Sequence, residues 1–439
     1  VKLAVIGGGS TYTPELVDGL ARQRDTLDVT ELALVDPNGR RLEVVGEFAR
    51  RILARHGHRA RVSTSDDLES GVDGSAAVLI QLRVGGQTAR QTDETLPLLC
   101  GCIGQETTGV GGLAKALRTV PVVREIGRVV AERAPDAWIV DFTNPVGIVT
   151  RALLDDGRRA VGLCNVAIGF QRYFAGLLGV TPDRVALDHV GLNHLSWERA
   201  VLLDGTDVLP KLIAEYADDI AGHIELPASL LRRYGTVPSY YLRYFYAHSD
   251  VLVEQRREPS RAEQVAAIER ELLTLYADPA LDTKPPLLDQ RGGAYYSEAA
   301  VALIASLLGN PEPGNTEPGH TQPGGGATGP GGATQVVDIR NGGTLPFLPD
   351  DAVIETPAKV HSGRIEALPV AAVDPLQRGL IAHVSAYEEL AVRAARDGGA
   401  DAVTTALLAH PLVGQAQLAE QLTTLLIDAN RPHLPWAAR

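Results

Sequence analysis

Methionine is absent from the 439 residues, cysteine occurs three times, and aromatic residues make up 5% of the chain. The missing methionine, together with a preference for arginine over lysine, reads as the codon bias of a GC-rich genome and decides nothing about function. Cys100, Cys102 and Cys164 are too sparse and too odd in number for a disulfide framework, which predicts a reducing compartment. No apolar run approaches the ~20 residues that cross a bilayer. The stretch from Val1 to Gly7 is a short apolar strand running into glycines, without the longer apolar core and cleavage site of a secretory signal. These absences predict a cytoplasmic chain that does not engage a membrane. A net charge of −13, with basic residues spread along the chain, excludes non-specific nucleic-acid binding, which needs clustered Lys and Arg. A small molecule is the expected partner.

What is present is a rhythm of strands and helices. Apolar runs over Lys2–Ile6, Glu31–Val35, Ala60–Thr64, Ala76–Leu82, Ala137–Phe142 and Ala160–Leu163 alternate with amphipathic stretches, which predicts a doubly wound parallel α/β sheet over residues 1–165. Residues 166–439 read as a second, α+β domain, with helices expected over Arg261–Tyr276 and Glu298–Leu308. The active site is expected between the two. Residues Gly309–Gly332 are dense in Pro and Gly and almost free of apolar side chains, so a mobile surface loop is expected there, with His320 a solvated member of it.

The first strand delivers the chain into Gly7-Gly8-Gly9-Ser10-Thr11-Tyr12, with Pro14 where the first turn of a helix is expected. Glycines allow backbone to approach a pyrophosphate, and the free amides of the helix start attract its charge. Tyr12 stands where the dinucleotide fingerprint has its third glycine. Asp36, at the end of the second strand, can accept a hydrogen bond from an adenosine ribose, which favours NAD over the phosphorylated NADP. Gly7, Gly9, Ser10, Thr11 and Asp36 are therefore the expected cofactor contacts.

Four polar clusters are expected at the carboxyl ends of strands, the edge where ligands bind in such sheets. They are Arg83-Val84-Gly85-Gly86 with Arg90, Gly104-Gln105-Glu106-Thr107, Thr143-Asn144-Pro145 and Cys164-Asn165. Cys164 and the His194 of Gly191-Leu192-Asn193-His194 could form a soft ligand pair for a divalent ion. Spacing alone favours two packed core side chains over that reading. Cys100 and Cys102 form a C-x-C with no second pair and read as small buried side chains.

Taken in order, the stretch Gly7 to Leu16, the four clusters, Gly191 to His194, Tyr241-Leu242-Arg243-Tyr244 and Arg291-Gly292-Gly293-Ala294-Tyr295-Tyr296 resemble glycoside hydrolase family 4, the NAD⁺- and Mn²⁺-dependent glycosidases, and within it the 6-phospho-β-glucosidases. The resemblance implies a Rossmann domain joined to a C-terminal domain like that of lactate dehydrogenase, assembled as a homodimer or homotetramer. It implies metal ligands at Cys164 and His194, a catalytic base at Tyr241, a cofactor contact at Arg83, and phosphorylated-sugar contacts at Arg90, Asn144, Asn165 and Arg291. It further implies oxidation at carbon 3, elimination of the aglycone, water addition and re-reduction, with no net redox change. Asn165 resembles the phospho-β-glucosidases, whereas the phospho-α-glucosidases tend to carry an aspartate there. Ala167, in place of a usual proline, and the insertion 309–332 depart from the family. Other family 4 specificities, α-glucosidase or α-galactosidase, remain alternatives, as do an NAD-dependent hydroxy-acid dehydrogenase and a nucleotide sensor.

Overall fold

A computed structural model describes residues 1–293, 295–309 and 333–437, so the loop expected over Gly309–Gly332 lies, except for Gly309, outside the described residues. Its strands are β1 (Lys2–Ile6), β2 (Glu31–Val35), β3 (Arg61–Ser65), β4 (Ala77–Ile80), β5 (Trp138–Asp141), β6 (Ala160–Gly162), β7 (Val185–Leu192), β8 (Leu195–Leu203), β9 (Thr206–Asp207), β10 (Val237–Pro238), β11 (Ala333–Arg340), β12 (Val353–His361) and β13 (Arg364–Ala367).

The first six strands pair in parallel in the order β3-β2-β1-β4-β5-β6, the doubly wound arrangement of a dinucleotide-binding sheet. Their unbroken apolar runs follow from burial on both faces. Leu3 and Val5 of β1 pack with Leu16, Leu20 and Phe48 from the helices Thr13–Arg22 and Gly39–Arg55. Ala4 and Ile6 point the other way, to Val123 and Ile126 of the helix Gly109–Arg133. Each fully buried aliphatic side chain of this kind contributes roughly 1.5–3 kcal/mol of transfer free energy.

The sheet continues past β6 without a break. Strand β11 pairs antiparallel to β6 through Asp338 and Gly162, and β12, β7, β8 and β10 follow, so chain from both sides of residue 165 shares one sheet. A third core cluster lies on this C-terminal side, where Trp197, Leu212, Ile220, Ile381 and Leu422 are buried together. Strands β1 and β2 have the expected bounds, and the other four of the parallel sheet differ from the sequence reading by one or two residues at an end. The run Ala76–Leu82 narrows to Ala77–Ile80, for example, because the Leu82 amide turns out of the ladder to donate to Thr143 Oγ1. The helix Arg261–Tyr276 has the expected bounds, and the helix expected from Glu298 begins at Tyr296. Among the described residues no helix is long and apolar enough to cross a membrane.

Candidate functional site: a glycine turn, a cation cluster and a Cys-His-Tyr group on one sheet edge

Strand β1 ends in a turn that only glycine allows. Gly7 adopts φ +87°, and a Cβ there would lie 2.5 Å from the Gln81 carbonyl oxygen. A Cβ on Gly8 would lie 2.7 Å from Leu34 Cβ. The amides of Gly7 and Gly8 donate to the Val35 carbonyl, and Thr13 Oγ1 donates to the Gly8 carbonyl at 2.9 Å, so the turn is tied to β2 and to the helix it opens. Asp36 stands beside it, accepting from the Gly9 amide at 3.1 Å and the Asn38 amide at 2.9 Å.

Tyr12, in the place of the third glycine, donates its hydroxyl to the Gly293 carbonyl and lies under the Arg291 guanidinium. The substitution thereby fastens the segment Arg291–Gly293 onto the turn. Arg291 donates to Thr11 Oγ1 at 2.7 Å and pairs with Glu269 at 3.1 Å. Arg41 reaches the Gly9 carbonyl at 3.1 Å and Glu269 at 3.5 Å. Glu269 thus gathers both arginines, Gln87 and Thr11 at the turn. Sequence reading passed over it as one charge among many on the helix Arg261–Tyr276.

A second group gathers around Glu106. Arg83 pairs with it, Lys115 Nζ lies 2.7 Å away and Arg90 Nη2 3.1 Å away, while Arg90 Nε reaches Glu94 at 2.7 Å. Burial pushes the Glu106 carboxyl up, but Arg83, Lys115 and Arg90 override it and hold it well below the usual range. Burial brings Lys115 down to about 8 against the pull of Glu106. Three cations facing two carboxylates leave this wall with an excess of positive charge, suited to an anion. The expectation that Gly104-Gln105-Glu106-Thr107 projects from a strand end is corrected. The segment follows the helix Gly86–Leu99 and leads into the helix Gly109–Arg133. Its placement comes from helix packing.

The third group sits where β6 and the β7–β8 hairpin end. Cys164 follows β6 and is 5% exposed, with its thiol pushed well up by burial and further by Glu355 and Asp338. His194 forms the hairpin turn with Asn193, at φ +63°, and its ring stacks on Tyr241 with centroids 3.6 Å apart and planes 9° from parallel. Burial pushes its imidazole down to about 4, so it is neutral at neutral pH. A side chain also holds one of its ring nitrogens. Thr107 Oγ1 lies 2.8 Å from Gln105 Oε1, which also accepts from the Thr107 and Thr108 amides, and 2.9 Å from His194 Nδ1, so it joins the imidazole to the Gln105 turn. Coordination of a metal ion through Nε2 requires the tautomer protonated on Nδ1, in which Thr107 Oγ1 accepts. Tyr241 lies on the turn Tyr240–Leu242. Burial, with Cys164 and Glu106 nearby, holds its phenol well above the ordinary value, and Arg90 draws it back. Tyr296, whose hydroxyl accepts from the Asn165 amide, adjoins both Cys164 and Tyr241.

Asn144, after β5, precedes Pro145 through a cis peptide, and its Oδ1 is buried without a protein partner among the described residues. Gln81 Oε1, after β4, and Gln87 Oε1 share that condition. Orphaned acceptors beside a glycine cradle fit the hydroxyls and amide of a dinucleotide and a sugar. Among the described residues no three His, Cys, Asp or Glu side chains gather closely enough to enclose a metal ion. Cys164 and His194 can supply a soft sulfur and an imidazole nitrogen and leave the remaining positions open, as a catalytic rather than a structural metal site needs. A cavity of about 150 Å³ lined by Trp197, Arg199, Tyr234, Thr236 and Gln377 shares no residue with these groups. Cys102 is buried as expected, whereas Cys100, at the end of the helix Gly86–Leu99, is only half-buried.

Residues 2–180 match the family 4 glycosyl hydrolase model, and residues 189–314 and 328–413 match that family's C-terminal domain. The chain belongs to glycosyl hydrolase family 4. Within family 4 it is 36% identical over 451 residues to the "Probable 6-phospho-beta-glucosidase" of Bacillus subtilis, covering 99% of this chain and 97% of that protein. It is also similar to the 6-phospho-beta glucosidase of Thermotoga maritima, solved with manganese, NAD⁺ and glucose-6-phosphate, at 33% identity and a TM-score of 0.89 over 99% of both chains. Malate dehydrogenase from Cryptosporidium parvum, 13% identical with a TM-score of 0.51 over 90% of this chain and 99% of that one, shares the fold alone. A Rossmann sheet extended by a C-terminal domain of the lactate-dehydrogenase type accounts for both likenesses.

Proposed function

We propose that this family 4 chain hydrolyses 6-phospho-β-glucosides by oxidation, elimination, hydration and re-reduction, with Cys164 and His194 as metal ligands and Tyr241 as base. The observation that carries the reading is a buried, neutral His194, held at Nδ1 by Thr107 and stacked face to face on the Tyr241 phenol, which itself lies near the buried Cys164 thiol. Bound NAD⁺ supplies a hydride acceptor for carbon 3, and a divalent cation on Cys164 and His194 supplies Lewis acidity toward the sugar oxygens. Gly7, Gly9, Ser10, Thr11 and Asp36 would seat the dinucleotide, with Arg83 as a further contact. Arg90 and Arg291 receive the substrate phosphate, and Asn144 and Asn165 orient the ring hydroxyls.

Tyr241 takes the proton from carbon 2 once a ketone at carbon 3 has made it acidic. A phenol held high by burial can do so only with positive charge at hand, which Arg90 provides and the metal site reinforces. The aglycone then leaves carbon 1, water adds there, and the proton returns to carbon 2 from the same side chain. Family 4 is a recognised exception to the two-carboxylate route of glycoside hydrolysis. Asn165 at the position after the cysteine supports the β-specific reading. The excess cation around Glu106 supports a phosphorylated substrate, which exists in the cytoplasm, and assembly as a homodimer or homotetramer completes the proposal.

Paired assays of a 6-phosphorylated and a plain β-glucoside, each with and without NAD⁺ and Mn²⁺, test it. Turnover is expected only with both cofactors, and far faster with the phosphorylated substrate than with the plain one. Equal rates after removal of NAD⁺ would overturn the redox route.

A further inference from the structure

The Asn193–His194 turn rests on an array of buried charge that the mechanism above does not use. Glu355 on β12 accepts from Asn193 Nδ2 at 3.3 Å through one oxygen and from His189 Nε2 at 2.8 Å through the other. His189 Nδ1 in turn reaches Glu198 Oε1 at 2.7 Å. All three side chains are at most 1% exposed. A register shift in the β7–β8 hairpin between Leu187 and His189 sets His189 opposite Glu198, and the single β12–β7 pairing sets Glu355 opposite Gly191. Bulges that re-aim a side chain beside a site are a recurrent device. The Asn193 carboxamide touches the Cys164 thiol as well as Glu355, so one side chain links both members of the Cys-His pair to the array.

We propose that Glu355, clamped by His189 and Glu198, is a positioning residue that sets the affinity of the Cys164–His194 pair for a divalent cation, acting through Asn193. Two physical effects support this. His194 holds φ +63°, a region non-glycine residues seldom occupy, so its turn needs an anchor, and the Asn193–Glu355 contact provides one. Two carboxylates face one imidazole in a space closed to water, leaving an excess of negative charge behind the ligand pair that a bound cation offsets. Glu355→Gln breaks both effects while keeping the shape, because a carboxamide offers one acceptor oxygen to two donors, His189 and Asn193.

The proposal rests on the metal reading of Cys164 and His194, and the test separates the two. Mn²⁺ affinity is measured by titration calorimetry on the full chain with NAD⁺ bound, alongside NAD⁺ affinity and melting temperature. Cys164→Ala should lose Mn²⁺ binding. Glu355→Gln and Asn193→Ala should each weaken it about 10–100-fold, the range typical of residues behind a metal ligand, with NAD⁺ affinity within about twofold of wild type. Retained Mn²⁺ affinity in Cys164→Ala would overturn the metal reading and this proposal with it. Loss in Cys164→Ala with wild-type affinity in Glu355→Gln would overturn the positioning role alone. Asn193 lies at the turn and only partly buried, so if Glu355→Gln fails to fold, wild-type Mn²⁺ affinity in Asn193→Ala overturns the role equally.

Discussion

His194 and Tyr241 lie ring on ring, 3.6 Å between centroids, so the imidazole and the phenol pack face to face as one plate. Tyr241→Phe keeps the plate and removes only the hydroxyl. The variant should bind Mn²⁺ and NAD⁺ as before and lose turnover by about 10²–10⁴-fold, the usual reach of general base catalysis. Steady-state kinetics beside a cofactor titration checks this, and near-normal kcat would remove Tyr241 from the base role.

The glycine turn gives a second prediction, because Gly8 has no room for a methyl group. A Cβ at 2.7 Å from Leu34 Cβ would push the turn off β2. Gly8→Ala should weaken NAD⁺ binding at least tenfold, by fluorescence titration, and lower the melting temperature. Unchanged NAD⁺ affinity would show that the turn does not seat the dinucleotide.

Arg118 and Asp93 make a different kind of contact, an ion pair at 2.6 Å with both side chains 1% exposed. The Asn430 carboxamide oxygen also accepts from the guanidinium, which ties the helix Ala416–Asn430 to the pair. Removing one member strands a buried charge, so Arg118→Ala should cost about 3–5 kcal/mol in denaturant unfolding. Removing both, with Arg118→Met and Asp93→Leu together, should cost far less, and equal losses would show that packing rather than charge holds the helices.

Much of the fold was legible in the sequence because its signals are local. Strand β1, its glycine turn and Asp36 lie within one short stretch, and the helix Arg261–Tyr276 carries its own N-cap Ser260. The site was legible only in part, because its partners meet across long separations in sequence. Glu269 contacts Thr11 across 258 positions, and His189 meets Glu355 across 166. No spacing rule spans such separations. Cys164 and His194 are both buried, as the packing reading held, and burial alone does not distinguish a core thiol from a ligand. The neighbours that bring them together with other site residues, Thr107 at the His194 ring and Tyr241 stacked on it, come from distant segments that no pattern along the sequence joins.

Arg90 lies buried between Glu94 and Glu106 with its charge directed at the site. Arg90→Ala should raise KM for a 6-phosphorylated substrate far more than for its plain counterpart, because a charge-assisted contact to phosphate is lost. Parallel kinetics on the two substrates reads the difference. Equal losses on both would assign Arg90 to holding Glu106 rather than to the phosphate.

Hydrogen isotopes give the sharpest test, since only the oxidation–elimination route breaks bonds to hydrogen at carbons 2 and 3. Direct displacement at carbon 1 leaves both untouched. Turnover in deuterated water should therefore leave deuterium on carbon 2 of the glucose 6-phosphate, introduced when the enone is hydrated. Hydrogen at carbon 3 should return from the bound nicotinamide without washing out to solvent. The carbon 2 label outranks a rate effect, because a slow product release hides the latter. Tyr241 is half-buried, and a base shielded from solvent returns the proton it took within one turnover. Substrate deuterated at carbon 2 resolves that case, because a shielded base would hand the same deuterium back. Product with neither solvent deuterium gained in the first experiment nor label retained in the second is incompatible with one base serving both proton transfers. Product from substrate deuterated at carbon 2 that keeps its label, with no isotope effect and no dependence on NAD⁺, would sink the elimination route altogether.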